Sequence, residues 1–358
     1  MTQPRTRRPR GEVIARRVLI AAILLTIVAL AGTFIKVRYV IEEPGPVTNT
    51  IGGKGDPALI TVKGAKTYPT KGELSFTTVR VRGGPDRHIS AWEWLFAKAD
   101  PDVRLLPEDE VFGDRTSKEV EQANEAMMQG SQHTAVAVGM RSTGLTVPSV
   151  TIAAQVAKGE PADGELEAGD EIVSVDGEDV DDAESVATAV ADREPGDPVR
   201  IGYVRDGERS QVRLKTTDIG QGRAGVGIAL QPKYDYPFKV RIDAGDVGGP
   251  SAGMMFALGV RDTLTPGPMT GGKSIAGTGT IDDDGSVGPI GGIQQKMIGA
   301  HDGGARWFLA PESNCDEVAG HVPDGLKVVS VSDFGDATDA VDAIADGHAK
   351  GLPTCDAP

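Results

Sequence analysis

Two stretches of the chain hold residues whose types and spacing suit covalent chemistry. Gly248-Gly-Pro-Ser-Ala-Gly-Met-Met-Phe-Ala-Leu-Gly259 opens with loop residues and then turns uniformly apolar. That pattern predicts a helix starting near Ser251 and buried on every side except its N-terminus. A serine there sits among unpaired backbone N–H groups at the positive end of the helix dipole, a setting that suits the oxyanion of acyl transfer. Gly249 and Ala252 are the loop residues placed to offer those groups. The plainer reading is that Ser251 only caps the helix. The second stretch is Ile293-Gln-Gln-Lys-Met-Ile-Gly-Ala300, opened by Gly291-Gly292. Ile293, Met297 and Ala300 share one helical face, and Lys296 joins it. A lysine aimed at an apolar interior loses hydration, its pKa falls, and the neutral amine can take a proton from a serine hydroxyl. The plainer reading is a stem that snorkels to solvent.

The elements that must position these residues fall into successive units. Lys36 is preceded by Val18 to Ile35, 18 residues without a charge, enough to cross a hydrocarbon core of about 30 Å. Six arginines (5, 7, 8, 10, 16 and 17) stand before it against Glu12 alone, a net charge of +5 in a chain whose total is -15. The positive-inside rule keeps that end cytoplasmic and puts the rest on the extracytoplasmic side. Ala29-Leu30-Ala31 offers a signal-peptidase site as the rival reading, but apolar character runs on through Phe34 and Ile35, which favours an uncleaved anchor. The remaining -20 argues against a nucleic-acid surface. The chain has 47 glycines and 23 prolines, which predict many turns between short elements.

Glu42-Glu43-Pro44-Gly45-Pro46 reads as a stiff spacer, followed by strand-like runs at 58–63 and 73–82. Trp92 and Trp94, beside Leu95 and Phe96, suit either lipid headgroups or an inward-packed helix. Thr116-x-x-Glu119 has the form of a capping box opening a helix toward Met128. From 136 to 217 strands alternate with glycine-containing turns about every ten residues, a small β-rich module. From 218 to 350 strand-like runs (238–242, 307–310, 327–331) alternate with helical ones, predicting a mixed α/β layer structure. Cys315 and Cys355 can pair in an oxidising compartment or remain as two thiols, and no histidine cluster accompanies them to make a metal site.

Two resemblances sharpen this outline. Pro161-Ala162, Leu166, Gly169-Asp170, Ile172, Val175 and Asp176-Gly177 resemble the PDZ signature of HtrA-type exported proteases. The resemblance implies capture of a peptide C-terminus by strand addition. Gly144-Leu145-Thr146-Val147 is the nearest candidate for the loop that cradles the carboxylate. Gly249-Pro-Ser-Ala-Gly253, Thr278-Gly-Thr-Ile281, Gly288 to Lys296, Ala300 to Ala305 and Leu309-Ala-Pro-Glu312 resemble the proteolytic domain of Lon proteases. That likeness implies Ser251 as nucleophile, Lys296 as general base, Thr278 as a support for the lysine, and a ring of six subunits. Two departures bear on subsites: Val247-Gly248 stands in place of the family's Lys-Asp, and Thr280 in place of its Glu.

Two further motifs fit less well. Gly267 to Ser274 satisfies the P-loop pattern letter for letter, but it lacks the strand before and the helix after that phosphate binding needs. ATP is therefore not expected, and neither is any other cofactor. Gly249-x-Ser-x-Gly253 also fits a nucleophile elbow, which would need an Asp and a histidine such as His321. Asp282-Asp-Asp-Gly285 reads as a hairpin turn rather than a metal cluster.

The expected protein is thus an α+β multidomain chain: a basic tail (1–17), a transmembrane helix (18–36) contacting lipid, an extracytoplasmic N-terminal region (37–135), a PDZ domain (136–217), a mixed α/β Lon-like proteolytic domain (218–350) and a tail (351–358). Its expected activity is ATP-independent serine endopeptidase action on exported or membrane-tethered polypeptides. The alternatives are an esterase with a Ser-His-Asp triad and an inactive PDZ adaptor.

Overall fold

The computed structural model describes residues 10–53 and 57–355, with side chains from Ile14 onward. Arg5, Arg7, Arg8 and the last three residues of the tail lie outside it. Helix α1 (Arg10–Phe34) contains an apolar stretch, Ile14–Phe34, long and apolar enough to cross a membrane.

The chain leaves α1 directly into strands β1 (Lys36–Val37) and β2 (Tyr39–Asn49), then β3 (Ile60–Lys63), β4 (Glu73–Arg82) and β5 (Ile89–Ser90). The Glu-Glu-Pro-Gly-Pro run is therefore not a spacer. It lies inside β2, which pairs antiparallel with β4, and a bulge between Pro44 and Val47 absorbs the prolines, whose missing N–H groups would break a regular ladder. Ser90 and Glu93 form a capping box that starts α2 (Ala91–Ala99). Trp94 packs inward, edge-on to Tyr39, whereas Leu95 and Phe96 point outward. Strand β6 (Arg104–Pro107) pairs with β2, and α3 (Glu108–Phe112) follows. The Thr116–Glu119 capping box opens α4, which runs past Met128 to Arg141 because Thr134 to Met140 forms a continuous buried stretch.

Next come β7 (Ser149–Val156), β8 (Glu171–Val175), β9 (Glu178–Asp179), α5 (Ala183–Ala191), β10 (Pro198–Arg205), β11 (Glu208–Lys215), β12 (Thr217–Asp218), β13 (Ala224–Gly225) and β14 (Ile228–Tyr234). Their sheet runs β11-β10-β8-β7-β14, with β9 against β8. Asp176-Gly177 and Asp206-Gly207 supply the positive φ angles of its tight hairpins. Buried Asp170 explains its place in the PDZ-like signature. Arg205 grips both its oxygens at 2.7 Å, and this holds its carboxyl below the usual range. β14 pairs with β7 along its whole length. The C-terminal end of α4 packs on α6, described next.

The remaining elements are β15 (Lys239–Ile242), α6 (Gly253–Leu264), β16 (Ser274–Gly277), α7 (Ile293–Asp302), β17 (Trp307–Pro311), α8 (Cys315–Val318), β18 (Lys327–Val331) and α9 (Phe334–Ala345). Parallel β16, β17 and β18 continue into the N-terminal strands, giving one sheet ordered β18-β17-β16-β4-β2-β6. Fully buried Met254 to Leu258 of α6, with Phe256 edge-on to Phe76, anchor the core. Residues 37–141 and 239–355 therefore share one fold, and the β7–β14 module is inserted in it. A Cys315–Cys355 disulfide ties the C-terminal segment beside this sheet.

Candidate active site

Ser251 lies in the turn just before α6, and its backbone is tied to the neighbouring segment twice. Gly279 N–H donates to the Ser251 carbonyl at 2.8 Å, and Thr278 Oγ1 donates to the same oxygen at 2.9 Å. Its side chain is only partly covered, so a substrate can reach Oγ. Lys296 sits in the first turn of α7, which packs on β2 and β4 with Ile293, Met297 and Ala300 buried. The lysine goes inward with them and is 3% exposed. Its Nζ donates to Ser251 Oγ at 2.9 Å and to Thr278 Oγ1 at 3.1 Å. Burial lowers the Lys296 pKa to about 8, against the opposing pull of the Glu42 carboxylate.

Glu42 was not visible as a site residue in the sequence. It is carried in by β2, where burial raises its pKa while Arg104 and Lys296 act in the opposite direction. Arg104 Nη1 stands 3.9 Å from its Oε2, an atom without a hydrogen-bond partner among the described residues. Glu42 Oε2 thus keeps acceptor capacity beside the lysine. The available signal was its position one residue after buried Val40 and Ile41, which marks a strand rather than a spacer.

The two oxyanion candidates separate. Gly249 N–H donates to the Asn124 carbonyl at 2.9 Å and is therefore occupied by α4. Ala252 N–H carries no hydrogen bond among the described residues, and it follows the serine directly at the head of α6. The loop 144–147 is also displaced from its expected use. It joins α4 to β7, Val147 is buried in the core of the larger fold, and β7 is already flanked by β14 and β8. A peptide cannot add to a strand whose two edges are taken.

The other motifs resolve by context. Gly267 to Ser274 links helix α6 to strand β16, the reverse of the strand–loop–helix order of a phosphate loop. His321 is exposed and faces the Ala319 carbonyl at 3.1 Å, and His301 faces Asp302; neither contacts Ser251. Asp282 and Gly285 close a turn through Gly285 N–H to the Asp282 carbonyl at 2.9 Å. Asp283 instead receives Arg141 at 2.7 Å and Ser149, pinning the base of the inserted module.

Comparison with known proteins finds two families along the chain. Residues 114–216 match the PDZ domain, and residues 229–341 match the Lon protease (S16) C-terminal proteolytic domain. The chain is 34% identical to the Lon protease of Rhizobium meliloti (strain 1021) over 131 residues, which is 36% of this chain and 15% of that protein. With Lon protease 1 of Bacillus subtilis (strain 168) the identity is 32% over 126 residues, 34% of this chain and 15% of the relative. The chain thus spans about 15% of the length of these curated relatives. Among solved structures, the PDZ domain of the SdrC-like protein from Listeria monocytogenes is 29% identical, covering 23% of this chain and 86% of that one, with a TM-score of 0.22. A PDZ domain together with a Lon-type proteolytic segment supports a serine peptidase.

Proposed function

We propose that the chain is a membrane-anchored serine endopeptidase, independent of ATP, in which Ser251 and Lys296 act as a dyad on exported or membrane-tethered polypeptides. The observation that carries the reading is the buried Lys296 amine 2.9 Å from Ser251 Oγ. In its neutral form the amine takes the hydroxyl proton as Oγ attacks the scissile carbonyl carbon. The oxyanion that forms is met by the Ala252 N–H at the head of α6. The tetrahedral intermediate collapses, the C–N bond breaks, and the lysine ammonium returns its proton to the leaving amine. Water, deprotonated by the same amine, then releases the acyl group. Thr278 supports the lysine and, through the Ser251 carbonyl, the nucleophile's turn.

The inserted β7–β14 module is the peptide-recognition part of this reading. Its free edge beside α5 is β14, so a substrate C-terminus would add there. The arginine-rich start holds the N-terminus in the cytoplasm and leaves the catalytic fold outside. Six-membered assembly belongs to the same reading through the Lon likeness. The test is incubation of the full-length protein in detergent with an unfolded protein and a fluorophosphonate probe, beside Ser251→Ala. The wild-type chain should take the probe and hydrolyse the substrate, and the variant should do neither. Equal labelling of both would overturn the assignment.

A further inference from the structure

Helix α2 is amphipathic, and among the described residues its outer face leaves Leu95 and Phe96 uncovered, while Trp92 packs on the end of α1. Trp92, Leu95 and Phe96 are spaced i, i+3 and i+4 and share that face, with Leu95 46% and Phe96 69% exposed. The opposite face is satisfied by Trp94 against Tyr39 and by buried Ala97. Exposed aromatic and aliphatic side chains of this size on a nine-residue helix call for an apolar partner.

The partner is indicated by what α2 is tied to. Ala91 N–H donates to the Ile35 carbonyl at 2.9 Å, and β1 pairs with β5, so α2 starts where α1 ends. Trp92 Nε1 donates to the Ala29 carbonyl at 2.8 Å, and its ring stacks on Phe96. The indole lies so close to Gly32 that a Cβ there would fall 2.2 Å from Nε1, so only glycine admits this contact. Ala29 precedes the end of α1 by five residues, which at 1.5 Å per residue lowers Trp92 about 7 Å along the helix. That depth is the headgroup–acyl boundary, where tryptophan is favoured. Lys36 and Lys98 are both exposed, with the Lys98 ammonium over the Trp94 ring.

We infer that α2 is an interfacial helix that inserts Trp92, Leu95 and Phe96 into the outer surface of the bilayer beside α1 and seats the catalytic fold on the membrane. The inference rests on α1 spanning the bilayer. Glu42 follows Phe34 by eight residues, so the seat holds the candidate site within about 27 Å of the end of α1.

The test uses the full-length protein in vesicles of phosphatidylcholine and phosphatidylglycerol. The native cysteines are paired, so Phe96→Cys and Val322→Cys each give one reactive thiol for an environment-sensitive fluorophore. Val322 is exposed in the segment between α8 and β18. An unchanged unfolding midpoint shows that each variant folds. The label at 96 should be quenched severalfold more by a spin label high on the lipid chain than by aqueous iodide, and the label at 322 should show the reverse. If the protein stays with the vesicles through an alkaline carbonate wash but the label at 96 behaves like that at 322, the interfacial helix is refuted and the anchor stands. If the wash removes the protein, both the anchor and the seat fall.

Discussion

A lysine becomes a base only when its surroundings disfavour its charge. Burial brings Lys296 down to about 8 from an ordinary value of 10.5, and Glu42 pulls the other way. Replacing Glu42 by Gln removes the charge that stabilises the ammonium, so the Lys296 pKa should fall further and the rising limb of kcat/KM should move to lower pH, by about half a unit to one unit. A pH–rate series on both chains checks this, and an unmoved or alkaline-shifted limb would contradict the role given to Glu42. Ser251 and Lys296, the pair of the proposed dyad, were legible as candidates because each lies in a compact local signature. Glu42 was not, since its role arises only when β2 is brought beneath α7 from the other side of the inserted module. Gly249 shows the converse: its position beside the serine suggested an oxyanion donor, but a distant helix takes its N–H.

At the scale of elements, the site depends on how closely α7 approaches β2. Gly299, one turn beyond the lysine, lies where an added Cβ would stand 2.8 Å from the Gly45 carbonyl oxygen. Gly299→Ala should push α7 away from β2, costing about 1–3 kcal/mol of stability and lowering kcat by about tenfold or more. Thermal unfolding and steady-state kinetics on the variant measure both effects, and wild-type values in each would show that the approach is not needed. The strands themselves were readable from short apolar runs, because β3, β4, β7, β17 and β18 each carry their own pattern. The spacer reading of 42–46 failed because a bulge lets a strand accept prolines that a regular ladder would reject. The α4 helix was read too short because small residues such as Ala135 and Ala137 give a weak apolar signal while packing fully against α6.

For the molecule as a whole, strands from both sides of the β7–β14 module share one sheet. Pairing of β14 with β7, and of β4 with β16, joins segments far apart in the chain, and register over such separations leaves no local mark. The consequence is functional. The environment of Lys296 is assembled from β2, before the inserted module, and from α6, β16 and α7, after it. Arg141 and Asp283 clamp the module's base between them. The pH profile of the reaction therefore reports on the assembled fold as well as on one amine. In the proposed dyad Ser251 is activated only by uncharged Lys296, so kcat/KM of the full-length protein should rise along a single limb centred near pH 8 and persist into alkaline solution. Lys296→Arg keeps the positive charge but cannot act as a base in this range, and it should abolish turnover at every pH. Should Lys296→Arg retain wild-type turnover and the same profile, Lys296 is not the base and the dyad is wrong.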